Sequence, residues 1–123
     1  MKTAKKVLIV DDDTRNIFAL SAVMKSRGYS CITANSADDA FTYLEQDPGI
    51  DIVLMDMMMP DMDGYDAIRK IRKEFLNPPP IIAVTAQAMT GDREKCLAAG
   101  ADDYISKPVD ADRLFAMLEK LIK

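Results

Sequence analysis

Short apolar runs punctuate the chain at Val7–Val10, Ile52–Met55 and Ile81–Val84, with a weaker one at Tyr104–Ile105. Each is too short for a buried helix and rich in β-branched residues, which predicts strands covered on both faces, as in a parallel sheet. Between them the apolar positions switch to a helical period: Ile17, Leu20 and Met24; Phe41 and Leu44; Ile68, Ile71 and Phe75; Leu114, Met117, Leu118 and Leu121. Each set makes one apolar stripe. Tyr29–Ala34 fits a further strand and Asp92–Ala99 a short, Ala-rich helix, which completes five β-then-α units. Such an alternation predicts an α/β fold, a doubly wound parallel sheet with helices on both faces.

Stop and start signals agree with this division. Ser36 ahead of Ala37–Asp38–Asp39 resembles a capping-box opening, Thr90 and Asp110 are candidate N-caps, and Gly28 and Gly100 stand just past predicted helix ends. Asn77–Pro80 is a proline-rich loop, and no repeat or linker divides the chain, so residues 1–123 are expected to form a single domain.

Composition narrows the function classes. With 49% hydrophobic, 29% charged and 7% aromatic residues in 123, the chain should fold unaided as a soluble domain. A net charge of −4, with the 16 basic residues spread along the chain, leaves no basic stripe for direct nucleic-acid binding. The apolar run after the first lysines ends within four residues at three aspartates, too short for a signal-peptide core, and nothing approaches membrane-spanning length. A cytoplasmic location without membrane contact is the expectation. The chain has no histidine, and Cys31 and Cys96 have no paired spacing. Imidazole chemistry and thiolate zinc sites are therefore excluded, both cysteines are expected to be reduced and buried, and any metal must be held by oxygen.

In open parallel sheets, ligands bind beyond the carboxyl ends of the strands, where the strand order reverses. The residues at those ends are Asp11–Asp12–Asp13, Asp56, Thr85 and, two past the fifth run, Lys107. Clustered carboxylates repel by about 1 kcal/mol or more per close pair even in a water-like dielectric. A hard divalent cation among them, with an anion bridging it to the hydroxyl and the ammonium, would relieve this, and Mg²⁺ with a phosphoryl group fits. An aspartate after a strand is also a common cap or turn residue. Four polar strand ends on one rim favour the site.

The segments VLIVDDD (7–13), LMDMMMPDMDG (54–64), IIAVTAQA (81–88) and GADDYISKP (100–108) resemble, in order and spacing, the signature blocks of bacterial response-regulator receiver domains of two-component signalling. The resemblance covers nearly the whole chain. It implies a flavodoxin-like sheet of five strands in the order 2-1-3-4-5 with five helices. It implies a phosphorelay role without other enzymatic activity, in which Asp56 accepts a phosphoryl group from the histidine of a kinase or phosphotransfer protein. Asp12 and Asp56 would ligate Mg²⁺ (or Mn²⁺) by carboxylate oxygens, Asp11 would hold a water on the metal, and the backbone carbonyl of Met58 would be a further ligand. Thr85 and Lys107 would contact the phosphoryl oxygens, with a cis bond before Pro108. Thr85 and Tyr104 would form the switch that alters the face of the fourth helix, fifth strand and fifth helix, toward an unknown downstream partner. For Tyr104 simple packing in an edge strand is the plain alternative, and Asp13 has no role in the family beyond a loop or cap.

Departures from the family pattern add further expectations. Met58 and Gln87 occupy variable positions flanking the path of hydrolytic water, and a bulky apolar Met58 could slow dephosphorylation. Met57, Met58, Met59 and Met62 form a methionine-rich rim, either an adaptable binding surface or packing around the site. Val109 replaces the phenylalanine of many DNA-binding relatives, and the stretch DDDTRNIFAL resembles receivers of hybrid histidine kinases, whose first helix, here Arg15 to Arg27, helps dock the phosphodonor. A free-standing regulator and a receiver segment of a hybrid kinase both remain open. The rival from another class is a haloacid-dehalogenase-type phosphatase with Asp11-x-Asp13 as its motif, but that family has Thr or Val where this chain has Arg15. A flavin carrier of the same fold would need a hydroxyl-rich phosphate loop where three aspartates stand.

Overall fold

A computed structural model describes residues 5–59, 62–86 and 92–122. The elements alternate throughout: β1 (Lys6–Val10), α1 (Thr14–Ser26), β2 (Ser30–Ala34), α2 (Ala37–Gln46), β3 (Ile52–Asp56), α3 (Gly64–Glu74), β4 (Ile81–Thr85), α4 (Asp92–Ala99), β5 (Asp103–Ser106) and α5 (Ala111–Leu121). All strand pairs are parallel, and the order is β2-β1-β3-β4-β5, as the sequence pattern and the family resemblance anticipated.

The pleat divides the apolar runs between two cores. Leu8, Val10, Val53, Met55, Ile81 and Ala83 face α2, α3 and α4, packing on Ala37, Ala40, Phe41, Ile68, Ile71 and Cys96. Their neighbours Val7, Ile9, Ile52, Leu54, Ile82 and Val84 face α1 and α5, against Leu20, Met24, Leu114 and Leu118. Successive strand residues point to opposite faces, so a continuous apolar run is what a sheet covered on both sides requires. Each large aliphatic side chain fully removed from water contributes about 1.5–3 kcal/mol.

Helix boundaries follow local chemistry. The Ser36 hydroxyl accepts the Asp39 N–H at 3.1 Å, and the Asp110 carboxylate accepts that of Asp112 at 3.1 Å. Asp13 and Asp63 cap α1 and α3 in the same way, on Arg15 and Tyr65. Gly28 and Gly100 take positive φ just past their helices, the left-handed conformation that glycine adopts without penalty. The expected cap Thr90 and the position Gln87 lie outside the described residues.

The differences from expectation are small and have physical reasons. Tyr29 lies just outside β2 and instead stacks on Phe115, ring centroids 6.0 Å apart. Phe75 ends α3 as its C-cap but still packs on Phe41. Cys31, expected to be buried, is only half-buried, because β2 is an edge strand. Cys96, covered by the same expectation, is buried on the inner face of α4. The Arg72 guanidinium ties α3 to the turn before β5, donating to the Gly100 carbonyl at 2.7 Å and to Asp102 at 2.5 Å, while Asp102 also accepts the Ile81 N–H at 2.8 Å.

The start of α3 is pressed against the end of β3. A Cβ on Gly64 would lie 2.6 Å from the Met57 Cα and 3.0 Å from the Asp56 carbonyl oxygen. Replacing glycine by alanine in a helix ordinarily helps by up to about 1 kcal/mol. Here overpacking against backbone should outweigh that gain, and Gly64→Ala is expected to destabilise the domain by about 1–3 kcal/mol. Urea denaturation checks this, an unchanged or raised midpoint being the contrary result.

Candidate functional site

β1 and β3 are sheet neighbours although β2 lies between them in sequence, with Val10 paired to Met55. The helices that follow them leave on opposite faces, α1 over one core and α3 over the other. A crevice opens where the connections diverge in this manner. Asp11 and Asp12 stand at the end of β1 and Asp56 ends β3, which brings one carboxylate oxygen from each to within 4.8 Å of one another. Asp11 and Asp56 are each only 2% exposed, while Asp12 is open to solvent.

The neighbouring strands supply the counterparts. Asp56 pairs with Val84, so Thr85, buried at 5% exposure, lies one step further along β4. The Lys107 N–H donates to the Thr85 carbonyl at 2.7 Å, which ties the exit of β5 to the end of β4. The Lys107 ammonium then stands 3.4 Å from Asp11 Oδ2 and 3.5 Å from Asp56 Oδ1. The Lys107–Pro108 peptide is cis, as the family resemblance implied.

Burial and crowding set the protonation of this cluster. Burial pushes the Asp56 carboxyl above the usual carboxylate range; the Met58 N–H opposes this, and the adjacent Asp11 charge adds to it. Burial acts in the same sense on Asp11. There the Asp13 N–H, the Asn16 amide, the hydrogen bond with Asp56 and the Lys107 charge together outweigh it and hold Asp11 below the usual range. Two close carboxyls pushed apart in this way tend to share a proton when no cation is present. The donors offered are all hard oxygens at a crowded anionic site, which fits Mg²⁺ or Mn²⁺ and not a thiophilic metal.

Other expected residues are placed less centrally. Asp13 is the N-cap of α1, its carboxylate 3.0 Å from the Arg15 N–H. Tyr104 is half-buried in β5 opposite Ala83, two residues before Thr85 on the adjacent strand, and packs on the core. The methionine-rich rim is mostly interior: Met57 and Met59 are buried and Met62 packs against the core, leaving Met58, 64% exposed, as the surface residue. The Met58 N–H donates to Asp56 Oδ1 at 3.1 Å, and its side chain lines an open cleft of about 500 Å³ with Asp12, Met57, Met59 and Asp63. Sequence reasoning passed over Asn16, whose amide nitrogen donates to Asp11 Oδ2. Its spacing, in the first turn of the helix that follows the aspartates, was the available signal.

Comparison with known proteins agrees with this geometry. The family model for the response regulator receiver domain matches residues 7–119. The chain is 43% identical over 108 residues to the sensor histidine kinase RcsC of Salmonella typhi, covering 88% of this chain and 11% of that protein. It is 38% identical over 118 residues to the signal transduction histidine-protein kinase BarA of Escherichia coli K12, covering 95% of this chain and 13% of that one. The chain thus spans little more than a tenth of these relatives. A chain of the CheX–CheY–BeF3–Mg²⁺ complex from Borrelia burgdorferi superposes with a TM-score of 0.86 at 31% identity, covering 97% of this chain and 90% of that chain. These matches lend no support to the phosphatase alternative. With the strand order, the acidic crevice and the matched family model in agreement, this chain belongs to the response regulator receiver domain family.

Proposed function

We propose that residues 1–123 form one phosphoacceptor unit of a two-component relay, with Asp56 as the acceptor. The observation that carries this reading is the buried Asp56 carboxylate, grouped with Asp11 and Asp12 and faced by the Lys107 ammonium at 3.5 Å. An oxygen of Asp56 attacks phosphorus in line, forming the O–P bond as the P–N bond to the donor histidine breaks and the imidazole leaves. Lys107 stabilises the charge on the equatorial oxygens, and the Thr85 hydroxyl donates to one of them. Water later attacks the acyl phosphate, releasing inorganic phosphate and restoring the carboxylate. Asp11, Asp12 and Asp56 with the Met58 backbone carbonyl would hold a divalent cation, which supplies neutralisation of the carboxylates and of the charge on the transferring group. Thr85 and Tyr104 then act as the switch: the hydroxyl is drawn toward the new phosphoryl group and the ring turns into the space left, changing the α4–β5–α5 surface that a downstream protein reads.

The donor is a histidine kinase or a histidine phosphotransfer protein in the cytoplasm, with neither nucleic acid nor membrane as a direct partner. Its docking surface is the outer face of α1, where Phe18 is 77% exposed beside Arg15 and Ala19. An exposed aromatic on the helix that follows the Asp11–Asp12 strand end is the kind of residue that dominates an interface. The likeness to RcsC and BarA favours a receiver segment of a hybrid kinase.

With a small phosphodonor and Mg²⁺, intact-mass measurement should show a single phosphoryl adduct that is lost in Asp56→Asn. The same variant should be more stable than the parent without metal, by on the order of 1 kcal/mol, because burial and the adjacent Asp11 disfavour an ionised Asp56 and an amide never carries that charge. Adduct formation that survives Asp56→Asn and disappears in Asp11→Asn would transfer the reading to the phosphatase class.

Phe18→Ala should slow phosphotransfer from a histidine-phosphorylated kinase or phosphotransfer protein by roughly tenfold, the equivalent of about 1.4 kcal/mol. Its rate with the small phosphodonor should be unchanged. Equal slowing with both donors would place Phe18 in the fold and not in docking.

Met58 presents an apolar side chain to an open cleft shared with Asp12, and its backbone N–H donates to Asp56; on this reading that cleft is the approach of the hydrolytic water. Met58→Asn should shorten the half-life of the phosphorylated form several-fold, a polar group of that size being able to hydrogen-bond an attacking water. Following loss of the adduct over time checks this, an unchanged or longer half-life counting against it.

A further inference from the structure

Among the described residues, three donors besides the neighbouring Asp56 reach the buried Asp11 carboxylate. The Asp13 N–H donates to Oδ1 at 2.9 Å, the Asn16 amide nitrogen donates to Oδ2, and the Lys107 ammonium stands 3.4 Å from Oδ2. They differ in kind. The first is backbone. The third is a cation that also faces Asp56 Oδ1, and on the reading above it must turn to the phosphoryl group. Asn16 is the neutral side-chain donor of the three.

Its placement follows from the way α1 begins. Asp13 caps the helix, the Ile17 N–H donates to the Asp13 carbonyl at 3.0 Å to close the first turn, and Asn16 is the third residue within it. Helical side chains lean toward the N-terminus, which here is the end of β1 that carries Asp11. Asn16 is half-buried and lines a groove with Leu20, Val23, Lys107 and Pro108.

The chemistry of an amide suits this position. A lysine or arginine there would occupy Asp11 as an ion pair and compete with a divalent cation. An aspartate would add a fourth carboxylate to the cluster. An apolar residue would leave Oδ2 to Lys107, the ammonium that the phosphoryl group requires. We propose that Asn16 is a positioning residue for the metal: its amide orients the Asp11 carboxylate toward a cation without competing for it, and leaves Lys107 free to turn. This rests on the reading of the aspartate cluster as the Mg²⁺ site. A purely structural role would be to tether the first turn of α1.

The full chain, stripped of metal with a chelator, is titrated with Mg²⁺ alone, and the amide resonances of Asp12 and Met58 are followed by NMR. The urea midpoint of each metal-free protein is measured alongside. Asn16→Ala should weaken Mg²⁺ binding about tenfold, the low end for loss of a group that orients a ligating carboxylate. Asn16→Ser, which keeps a neutral donor, should fall between the parent and Asn16→Ala, and Asn16→Lys should bind weakest. Mg²⁺ affinity equal to the parent in Asn16→Ala overturns the proposal, whatever happens to stability, and assigns Asn16 to the structural tether. Should Asn16→Ala fail to fold, equal affinities of the Ser and Lys variants overturn it instead. Absence of Mg²⁺ binding by the parent defeats the metal-site reading itself, an outcome distinct from the other two.

Discussion

Two nearly buried carboxyls, Asp11 and Asp56, sit side by side at the ends of adjacent strands with a third, Asp12, at the mouth. Left alone such a group repels itself, and the surrounding structure consists of ways to hold it together. The Lys107 ammonium faces two of the three, backbone N–H groups of Asp13 and Met58 donate to Asp11 and Asp56, and the Asn16 amide adds a neutral donor. What these groups leave uncompensated is the affinity available to a hard cation and, behind it, to a phosphoryl group. The instability of the cluster and its proposed chemistry are one property.

Holding the cluster requires a rigid base, and the sheet provides it. Every residue of β3 and β4 is buried, and the apolar runs of the central strands fill one core on each side. Strand ends fixed in this way cannot spread to relieve the repulsion, so the cost is held at the rim. The periphery is looser: β2 and β5 are edge strands with half-buried residues, and Tyr104 lies on one of them beside the strand that ends in Thr85. A residue packed at an edge can change its contacts at lower cost than one in the centre, which suits the switching role proposed for it.

Much of this was legible in order along the chain. Runs of four apolar residues marked the three central strands because burial on both faces leaves no polar alternation, and Ser36, Asp110, Gly28 and Gly100 marked helix ends because caps and left-handed turns select those residues locally. Asp11, Asp12, Asp56, Thr85 and Lys107 stood out as polar residues at the ends of apolar runs. Less legible were features that depend on neighbours distant in sequence. The methionines after Asp56 look alike, yet Met57 and Met59 are buried and Met58 is exposed. Arg72 and Asp102 lie thirty residues apart and meet across the turn at Gly100. Asn16 looks like any polar residue in a first helical turn until the end of β1 is seen beside it.

The sequence by itself determined the alternation of elements, the sheet type and the set of groups able to do chemistry, because hydrophobic period and capping act over a few residues. Only the tertiary structure decided which of those groups meet. Val10 lies beside Met55, Asp56 beside Val84, and the Lys107 backbone on Thr85. These pairings arise from strand register and from the reversal of strand order between β1 and β3, which bury apolar surface across the whole sheet. No local stretch of sequence carries that information, because the free energy that selects it is shared among residues brought together only by folding.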